Sequence, residues 1–234
     1  MDKVIKIRNE VLKRLANKLD GFYLAGGTAL SLFYFQHRES LDLDFFTKDF
    51  SRTKIEILMA DLSKDIGLRA VLEGEVDKKG FAKMLVYSLI IDEDDSLKID
   101  FVEDVNKVLE PLSIVDGIPI LSKQDIYLRK ILTACGSISS IDSLGRSVFV
   151  GGRQEAKDFF DLYFLSKTYM SLSDFVAEYC QYPHKESIIV WFRSYNRLEI
   201  KLGLTEIRTD KKVSFHEMEH HFRGEVDKII AAEI

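Results

Sequence analysis

The apolar positions of the first 120 residues alternate between a helical and a strand-like period. Helical spacing over residues 3–19 stops at Gly21, and a short apolar run at 22–25 follows, which predicts a helix and then a strand. Residues 51–66 again have helical spacing. Strand-like runs separated by polar turns then predict an antiparallel meander over residues 68–76, 81–91 and 97–102.

Helical spacing dominates the chain after Pro119. The predicted helices span residues 122–135, 154–167, 171–181, 184–200 and 214–230. Residues 136–152, rich in Ser and Gly, interrupt them and are predicted to form a loop of a length typical of functional or mobile segments. We therefore predict an α/β domain at 1–120, with a mixed sheet flanked by helices, and a helical domain at 121–234 that closes one wall of a cleft.

Composition and charge narrow the class of protein without fixing its function. Hydrophobic residues make up 46% and charged residues 30%, the balance of a folded soluble protein. Cys135 and Cys180 are too few to cross-link a chain of this size, which favours a reducing compartment. A charged N-terminus and no run of ~18 apolar residues predict a cytoplasmic protein without a membrane span. The net charge of −5 argues against a strongly basic nucleic-acid coat but leaves an RNA substrate open.

Two aspartates share one face of a predicted strand. Apolar and acidic positions alternate in residues 41–46, so Asp42 and Asp44 project from the same face. Residues 97–102 alternate in the same way and place Asp100 between buried neighbours. Pairs of divalent ions held by carboxylates catalyse phosphoryl and nucleotidyl transfer, and Mg²⁺ prefers oxygen ligands. We therefore predict that the three aspartates bind two Mg²⁺ ions, which Mn²⁺ can replace, and that Asp100 helps to deprotonate the attacking hydroxyl.

Simpler interpretations of these acidic residues stay open. Two aspartates at positions i and i+2 are common on solvated strands that bind nothing. Only Asp100 lies in the middle of a predicted strand, but other acidic residues compete with it as the third carboxylate: Asp92, Asp94, Asp95, Glu103 and Asp104.

A glycine pair lies upstream of the aspartates. Gly26, Gly27 and Thr28 open an apolar stretch, residues 28–36, that is predicted to be a helix. Backbone amides at a helix N-terminus bind phosphates, and glycine lets a phosphate approach the backbone closely. We predict that this turn binds the triphosphate of a nucleotide, although most glycine pairs only form turns.

Residues 24–30 (LAGGTAL) and 37–46 (HRESLDLDFF) together resemble the AbiEii/AbiGii-type nucleotidyltransferases, toxins of bacterial toxin–antitoxin and abortive-infection systems. The resemblance implies a polymerase-β-like nucleotidyltransferase fold and transfer of a nucleoside monophosphate from a nucleoside triphosphate to a hydroxyl acceptor. An RNA acceptor, such as a tRNA 3′ end, is favoured, and a cognate antitoxin is an expected partner. The resemblance assigns Arg38 and Ser40 to nucleotide binding and His37 to the cleft. The alternative for His37 and Arg38 is that they only anchor the loop through hydrogen bonds.

The likeness extends to about residue 166 and includes a lysine-bearing helix. Residues 130–134 (KILTA) are similar to this helix, which implies that Lys130 contacts the triphosphate; a solvated helix lysine is the alternative. Arg153 is similar to a basic residue of the next family segment, but residues 136–152 intervene where the family arginine is expected sooner. Further cleft residues implied by the likeness, with helix-stabilising roles as the alternative for the two aspartates, are Lys157, Asp158 and Asp161.

A second enzyme class matches a motif near the C-terminus. His216, Glu217 and His220 fit the H-E-x-x-H pattern of zinc metalloproteases, in which two histidines bind zinc and the glutamate acts as base. The neighbouring residues are heavily charged and include His221, which is typical of a surface helix. Adventitious metal binding is therefore a better interpretation of this motif than catalysis.

A third hypothesis is a nucleotide-binding regulatory module without turnover. Folds persist while their chemistry is lost, so a fold alone does not establish catalysis. An inactive relative is expected to lose its metal-binding carboxylates first. All three predicted carboxylates are present in this sequence, which favours an enzyme.

Overall fold

A seven-stranded mixed sheet organises the first of two compact units in the computed structural model, which describes residues 2–136, 138–141, 143, 145 and 147–233. The N-terminal unit comprises Met1–Tyr34 and Ser40–Ser122, and the C-terminal unit comprises Phe35–Glu39 and Lys123–Ile234. The fold is α/β, as predicted, and the described residues form nine α-helices.

The N-terminal unit contains the predicted helices and strands. The helices are α1 (Asp2–Leu15), α2 (Gly26–Ala29), which continues as a π-helix (Leu30–Phe35), and α3 (Arg52–Ile66). The strands are β1 (Phe22–Leu24), β2 (Leu43–Thr47), β3 (Arg69–Val76), β4 (Met84–Ile90), β5 (Ser96–Glu103), β6 (Ser113–Val115) and β7 (Ile118–Ile120). The helix predicted at 28–36 therefore begins two residues earlier, at the glycine pair.

Strand β2 lies at the centre of the sheet, whose order is β3-β4-β5-β2-β1-β7-β6. β3, β4 and β5 pair antiparallel, which confirms the predicted meander. β2 pairs antiparallel with β1 and parallel with β5. Its pleat buries Leu43 and Phe45 on the same face as Ile99 and Phe101 of β5. The alternate residues of β2 and β5 therefore project from the opposite face.

The hairpin β6–β7 is absent from the sequence-based prediction. Its strands are three residues long, so they are too short to display the period of two that identifies a strand. Asp116 and Gly117 form the turn with φ of 50° and 77°. β7 extends the sheet by pairing in parallel with β1, at Leu24 and Ile120.

The C-terminal unit is helical, as the spacing predicts, with two differences. Its elements are α4 (Lys123–Cys135), β8 (Ile138–Ile141), β9 (Ser147–Val150), α5 (Ala156–Thr168), α6 (Leu172–Tyr179), α7 (Tyr182–Ser194), α8 (Arg197–Glu206) and α9 (Phe215–Ala232). The helix predicted at 184–200 is two helices, because the Asn196 side chain caps a new one by accepting from the amides of Leu198 and Glu199. The loop predicted at 136–152 is wrong in part, because β8 and β9 pair antiparallel within it; residues 137, 142, 144 and 146 of this stretch lie outside the described residues.

A membrane-spanning helix is not found in the part of the chain that the structure describes. Helix α9 is the longest of the described helices, with 18 residues, yet none of them combines the length and the low charge that a bilayer span requires. The predicted cytoplasmic location stays a prediction.

Candidate active site

Asp44 and Asp100 lie side by side on two central strands, on the face opposite the apolar residues. The parallel register of β2 and β5 pairs Leu43 with Ile99, Asp44 with Asp100 and Phe45 with Phe101. The apolar members of these pairs are fully buried, which turns the two carboxylates towards the other face. Asp42 directly precedes β2 and, by the same alternation, projects from the same face as Asp44.

A lysine that the sequence-based prediction omits lies among these aspartates. Lys98 Nζ is 2.6 Å from Asp100 Oδ2, and Asp100 is only 8% exposed. Burial by itself lowers the pKa of Lys98, but the bond to Asp100 and the charges of Asp42 and Asp44 outweigh it and raise that pKa. We call these four residues, Asp42, Asp44, Lys98 and Asp100, the aspartate array.

Gly26 makes room for Asp44. The φ of Gly26 is +69°, in the left-handed region that side chains other than glycine rarely adopt. A Cβ atom at this position would lie 3.1 Å from Asp44 Cγ and closer still to Asp44 Oδ2. The backbone amide of Ala25 also donates to the carbonyl oxygen of Asp44, at 2.9 Å. The glycine turn and the aspartate strand are therefore built against each other.

Thr28 holds the loop that leads into β2. Its hydroxyl donates to the carbonyl oxygen of Asp42 and lies 2.8 Å from the Ser40 hydroxyl. Arg8, a buried residue of α1 that the sequence-based prediction omits, donates from Nη1 to the Ser40 carbonyl oxygen. Thr28 is 0% exposed, so in this geometry it positions Asp42. Its direct contact with a triphosphate stays a prediction, as does that of Ser40.

A second group of charged residues lies in the C-terminal unit. Asp161 Oδ1 is 2.8 Å from His37 Nε2 and 2.6 Å from Arg38 Nε, while Arg38 Nη2 donates to Asp161 Oδ2 at 2.9 Å. This is the anchoring role that the sequence analysis offered for His37 and Arg38. Both residues belong to the short segment Phe35–Glu39, which is part of this unit although it directly precedes Ser40 in the chain.

Lys130 of α4 lies between two aspartates of α5. Its Nζ atom is 2.7 Å from Asp158 Oδ1 and 2.7 Å from Asp161 Oδ2. Arg153 donates from Nε to Asp158 Oδ2 at 2.7 Å. We call the six residues of this second group, whose side chains are buried except for the exposed one of Arg153, the buried charge network: His37, Arg38, Lys130, Arg153, Asp158 and Asp161.

Three side chains of this network, Lys130, Asp158 and Asp161, stay ionised although they are shielded from water. Burial raises the pKa of Asp161, but the charges of Lys130 and Arg38 outweigh it and hold this pKa well below its ordinary value. The pKa of Asp158 is lowered against burial in the same way by Lys130 and Arg153. Burial lowers the pKa of Lys130, yet the charges of Asp161 and Asp158 raise it overall. Each buried charge is therefore neutralised by its neighbours.

This geometry changes the expectations for Lys130 and Lys157. Lys130 is not the solvated helix lysine that was the alternative, since it is 7% exposed and bonded to two carboxylates. A contact between Lys130 and a triphosphate stays a prediction, because the ammonium group is bonded to Asp158 and Asp161 in this structure. Lys157 lies outside the network: its Nζ atom pairs with Glu155 Oε2 at 3.1 Å, where both side chains are exposed.

The H-E-x-x-H motif performs a structural task. Glu217 accepts hydrogen bonds from the backbone and side chain of Ser214, each at 2.8 Å, and this capping box begins α9. His216 and His220 are exposed on the same helix. A glutamate that caps a helix is engaged in the fold, so the geometry adds no support for the protease hypothesis.

The aspartate array supplies the oxygen ligands that Mg²⁺ prefers. Among the described residues, no three His, Cys, Asp or Glu side chains converge as a complete metal site. Asp100 is instead bonded to Lys98. Mg²⁺ usually takes only one or two carboxylates and completes its shell with water and substrate phosphates. Asp42 and Asp44, projecting from one face beside the glycine turn, fit that smaller requirement.

Comparison with known proteins identifies one family for nearly the whole chain. The family model described as "Nucleotidyl transferase AbiEii toxin, Type IV TA system" matches residues 10–232. This match confirms the resemblance and extends it over the C-terminal helices beyond residue 166, which the motifs left unassigned. A search of curated proteins found no match.

Solved structures with the same fold differ widely from this chain in sequence. JHP933 from Helicobacter pylori is 17% identical, with a TM-score of 0.56 over 100% of this chain and 96% of that chain. MenT4, the nucleotidyltransferase toxin Rv2826c from Mycobacterium tuberculosis H37Rv, is 12% identical, with a TM-score of 0.52 over 97% of this chain and 82% of that chain. At these identities the likeness shows a shared fold and nothing more.

Proposed function

The chain belongs to the AbiEii family of nucleotidyltransferase toxins, and from this premise we propose that it moves a nucleoside monophosphate from a nucleoside triphosphate to a hydroxyl acceptor at the aspartate array. The observation that carries this proposal is the pairing of Asp44 with Asp100 on adjacent strands, directly beside Gly26. Carboxylates next to a glycine turn combine ligands for a divalent cation with backbone that a phosphate can approach.

The proposed reaction depends on Mg²⁺. Asp42 and Asp44 would hold two ions, the number that carboxylate sites for phosphoryl transfer commonly use. Asp100 would be the third carboxylate of the site. When bound, such ions neutralise phosphate oxygens and stabilise the attacking and leaving oxygens of an in-line displacement. The oxygen donors of these residues suit Mg²⁺, and Mn²⁺ as its substitute.

The residues of this chain position the reactants and move one proton. Asp100 accepts the proton of the attacking hydroxyl, whose oxygen forms a bond to the α-phosphorus. The bond between the α-phosphorus and the bridging oxygen breaks, and pyrophosphate leaves with the electron pair. Gly26 and Gly27 bring backbone amides to the triphosphate, and Thr28 fixes the backbone of Asp42.

The proposed acceptor is an RNA, with the 3′ end of a tRNA favoured by the family resemblance. A 3′ hydroxyl is the nucleophile that this reaction requires, and the net charge of −5 does not prevent local binding of a nucleic acid. We also propose a cytoplasmic location, where nucleoside triphosphates and RNA are available, and a cognate antitoxin protein as partner. Protein and small-molecule hydroxyls are the competing acceptors.

Incubation with each α-³²P-labelled nucleoside triphosphate, Mg²⁺ and total RNA tests the proposed function. Wild type is expected to label an RNA band with at least one nucleotide. Asp42→Ala is expected to reduce the labelling rate by roughly 10²- to 10³-fold, the usual effect of removing one charge-stabilising group. Asp61→Ala, which removes an exposed carboxylate of α3, is the matched control and should retain the wild-type rate.

Each outcome of this experiment has a defined meaning. Equal labelling by wild type and Asp42→Ala would contradict the assignment of the aspartate array as the active site. If no RNA is labelled, protein and small-molecule acceptors are tested with the same nucleotides. Nucleotide binding without transfer to any acceptor would instead establish the regulatory module that does no chemistry.

A further inference from the structure

Lys98 occupies a defined place in the aspartate array. Asp44 pairs with Asp100 across β2 and β5, and extending this register by one more alternate position sets Asp42 beside Lys98. Neighbouring strands are ~4.8 Å apart and alternate residues of one strand ~6.6 Å apart. The four side chains therefore form a two-by-two array with three negative charges and one positive charge.

The ammonium group of Lys98 contacts a carboxylate oxygen of Asp100 that a metal ion would use as a ligand. Nζ lies 2.6 Å from Asp100 Oδ2, and the Lys98 side chain is 46% exposed, against 10% for Asp100. The same oxygen cannot coordinate a divalent cation while it accepts this short charge-assisted bond at full strength. Two positive charges within a few ångströms also repel each other, which weakens the binding of the second.

The ammonium group of Lys98 thus lies where the proposed function requires a divalent metal ion. The register that sets Asp44 beside Asp100, extended by one alternate position, sets Lys98 beside Asp42, and its ammonium group contacts Asp100, so this lysine lies among the three carboxylates. Water can solvate the partly exposed ammonium group of Lys98 when it leaves Asp100, whereas the buried carboxylate of Asp100 then needs the incoming ion to compensate its charge. Lys98 therefore pairs with the carboxylates of the array and can move away from Asp100 when a metal ion binds.

Building on the proposed metal-dependent function, we propose that Lys98 is a resident counter-cation of the aspartate array that competes with a divalent cation for Asp100. It lowers the affinity of the array for metal, and it must leave Asp100 Oδ2 before that oxygen coordinates an ion. The positive charge of Lys98 offsets the repulsion among the three carboxylates. The array therefore binds a metal ion more weakly than the same three aspartates would without this lysine.

Titration of the full-length protein with Mn²⁺, followed by electron paramagnetic resonance of the free ion, tests this proposal. Lys98→Met is expected to bind Mn²⁺ about tenfold more tightly than wild type, the effect of removing one nearby like charge. Lys98→Arg keeps the charge and should stay within about twofold of wild type. The control is Lys48→Met, since the Lys48 side chain is also 46% exposed and pairs with a buried aspartate, Asp104, at 3.4 Å.

The outcomes separate this inference from the proposed function. If Asp42→Ala abolishes Mn²⁺ binding but Lys98→Met binds no more tightly than wild type, the competition is refuted and the metal-dependent function stands. If neither wild type nor Lys98→Met binds Mn²⁺ in a manner that depends on Asp42, both proposals fail. Thermal melting confirms that each variant is folded, and Lys98→Gln, which still donates to Asp100, replaces Lys98→Met if that variant is unfolded.

Discussion

The two units of this protein use aspartates in opposite ways. The aspartate array on the sheet sets three carboxylates against one lysine; Asp42 and Asp44 are half-buried, and Asp100 is buried. The buried charge network sets Asp158 and Asp161 against three cationic side chains, those of Lys130, Arg38 and Arg153. The first cluster carries an excess of negative charge and attracts cations, whereas the second is compensated from within the protein.

This difference separates a reactive site from a structural one in physical terms. A charge taken out of water must be compensated by bonded partners, and removing one partner leaves the other buried and uncompensated. Carboxylates that remain accessible keep their affinity for ions from solution. Substitutions in the network should therefore change stability most, while substitutions in the array should change chemistry most.

Replacement of Asp161 is expected to have the largest effect on stability. Asp161→Asn removes the charge that faces Lys130 and Arg38, and the free energy of unfolding should fall by about 3–5 kcal/mol. Urea unfolding followed by circular dichroism measures this change. Asp44→Asn in the array is the matched control and should cost less than about 1 kcal/mol, because its side chain is only half-buried. Similar losses in both variants would contradict the contrast between the clusters.

Replacement of Gly26 is expected to have a smaller effect, and to change the rate of nucleotidyl transfer more than the stability. In Gly26→Ala the new methyl group meets Asp44 Oδ2, and moving this carboxylate should slow nucleotidyl transfer by about 10²-fold. Gly67→Ala is the control, because Gly67 has nearly the same φ, +73° against +69°, but no atom within 4 Å of the added Cβ. Both variants should lose about 1–2 kcal/mol of stability from backbone strain.

The comparison of these two glycines isolates the contact with Asp44 from the cost of the backbone conformation. Labelling of the acceptor gives the rate, and thermal melting gives the stability of each variant. If Gly67→Ala loses as much activity as Gly26→Ala, strain alone explains both effects. Retained activity in both variants would remove Gly26 from the proposed site.

The sequence was sufficient to predict the elements that carry the aspartates. The alternation around Asp42, Asp44 and Asp100 reflects a pleated strand with one buried face, a local property that a sequence displays directly. Lys98 follows the same alternation, two residues before Asp100, so that pattern contains the signal for it. A prediction of metal ligands does not include it, because a protonated lysine has no lone pair to donate to a metal.

Other features depend on pairings that are distant in the chain. Lys130 is bonded to Asp158 and Asp161, 28 and 31 residues away, and helical spacing alone cannot distinguish such a lysine from a solvated one. Gly26 is required beside Asp44 only because β1 and β2 pair, which sets the chain segments against each other. Tertiary packing, rather than local propensity, decides these roles.

The acid dependence of stability offers the smallest and most specific test of the contrast. The pKa of Asp161 is well below its ordinary value in the folded protein, whereas in the unfolded chain it returns to about 3.9. The depressed pKa therefore contributes stability that is fully present above about pH 5 and is lost as the pH falls towards the folded-state pKa.

The difference in unfolding free energy between wild type and Asp161→Asn should thus be constant from pH 5 to 7. Below about pH 4 this difference should shrink by up to about 1.4 kcal/mol per pH unit. In that range the carboxyl of Asp161 in wild type takes up a proton when the protein unfolds, and the asparagine variant has no such group. Urea midpoints of both proteins at several pH values measure the difference. A gap that is the same at pH 3.5 and pH 6 would mean that Asp161 stabilises the network through its shape and hydrogen bonds rather than through its charge.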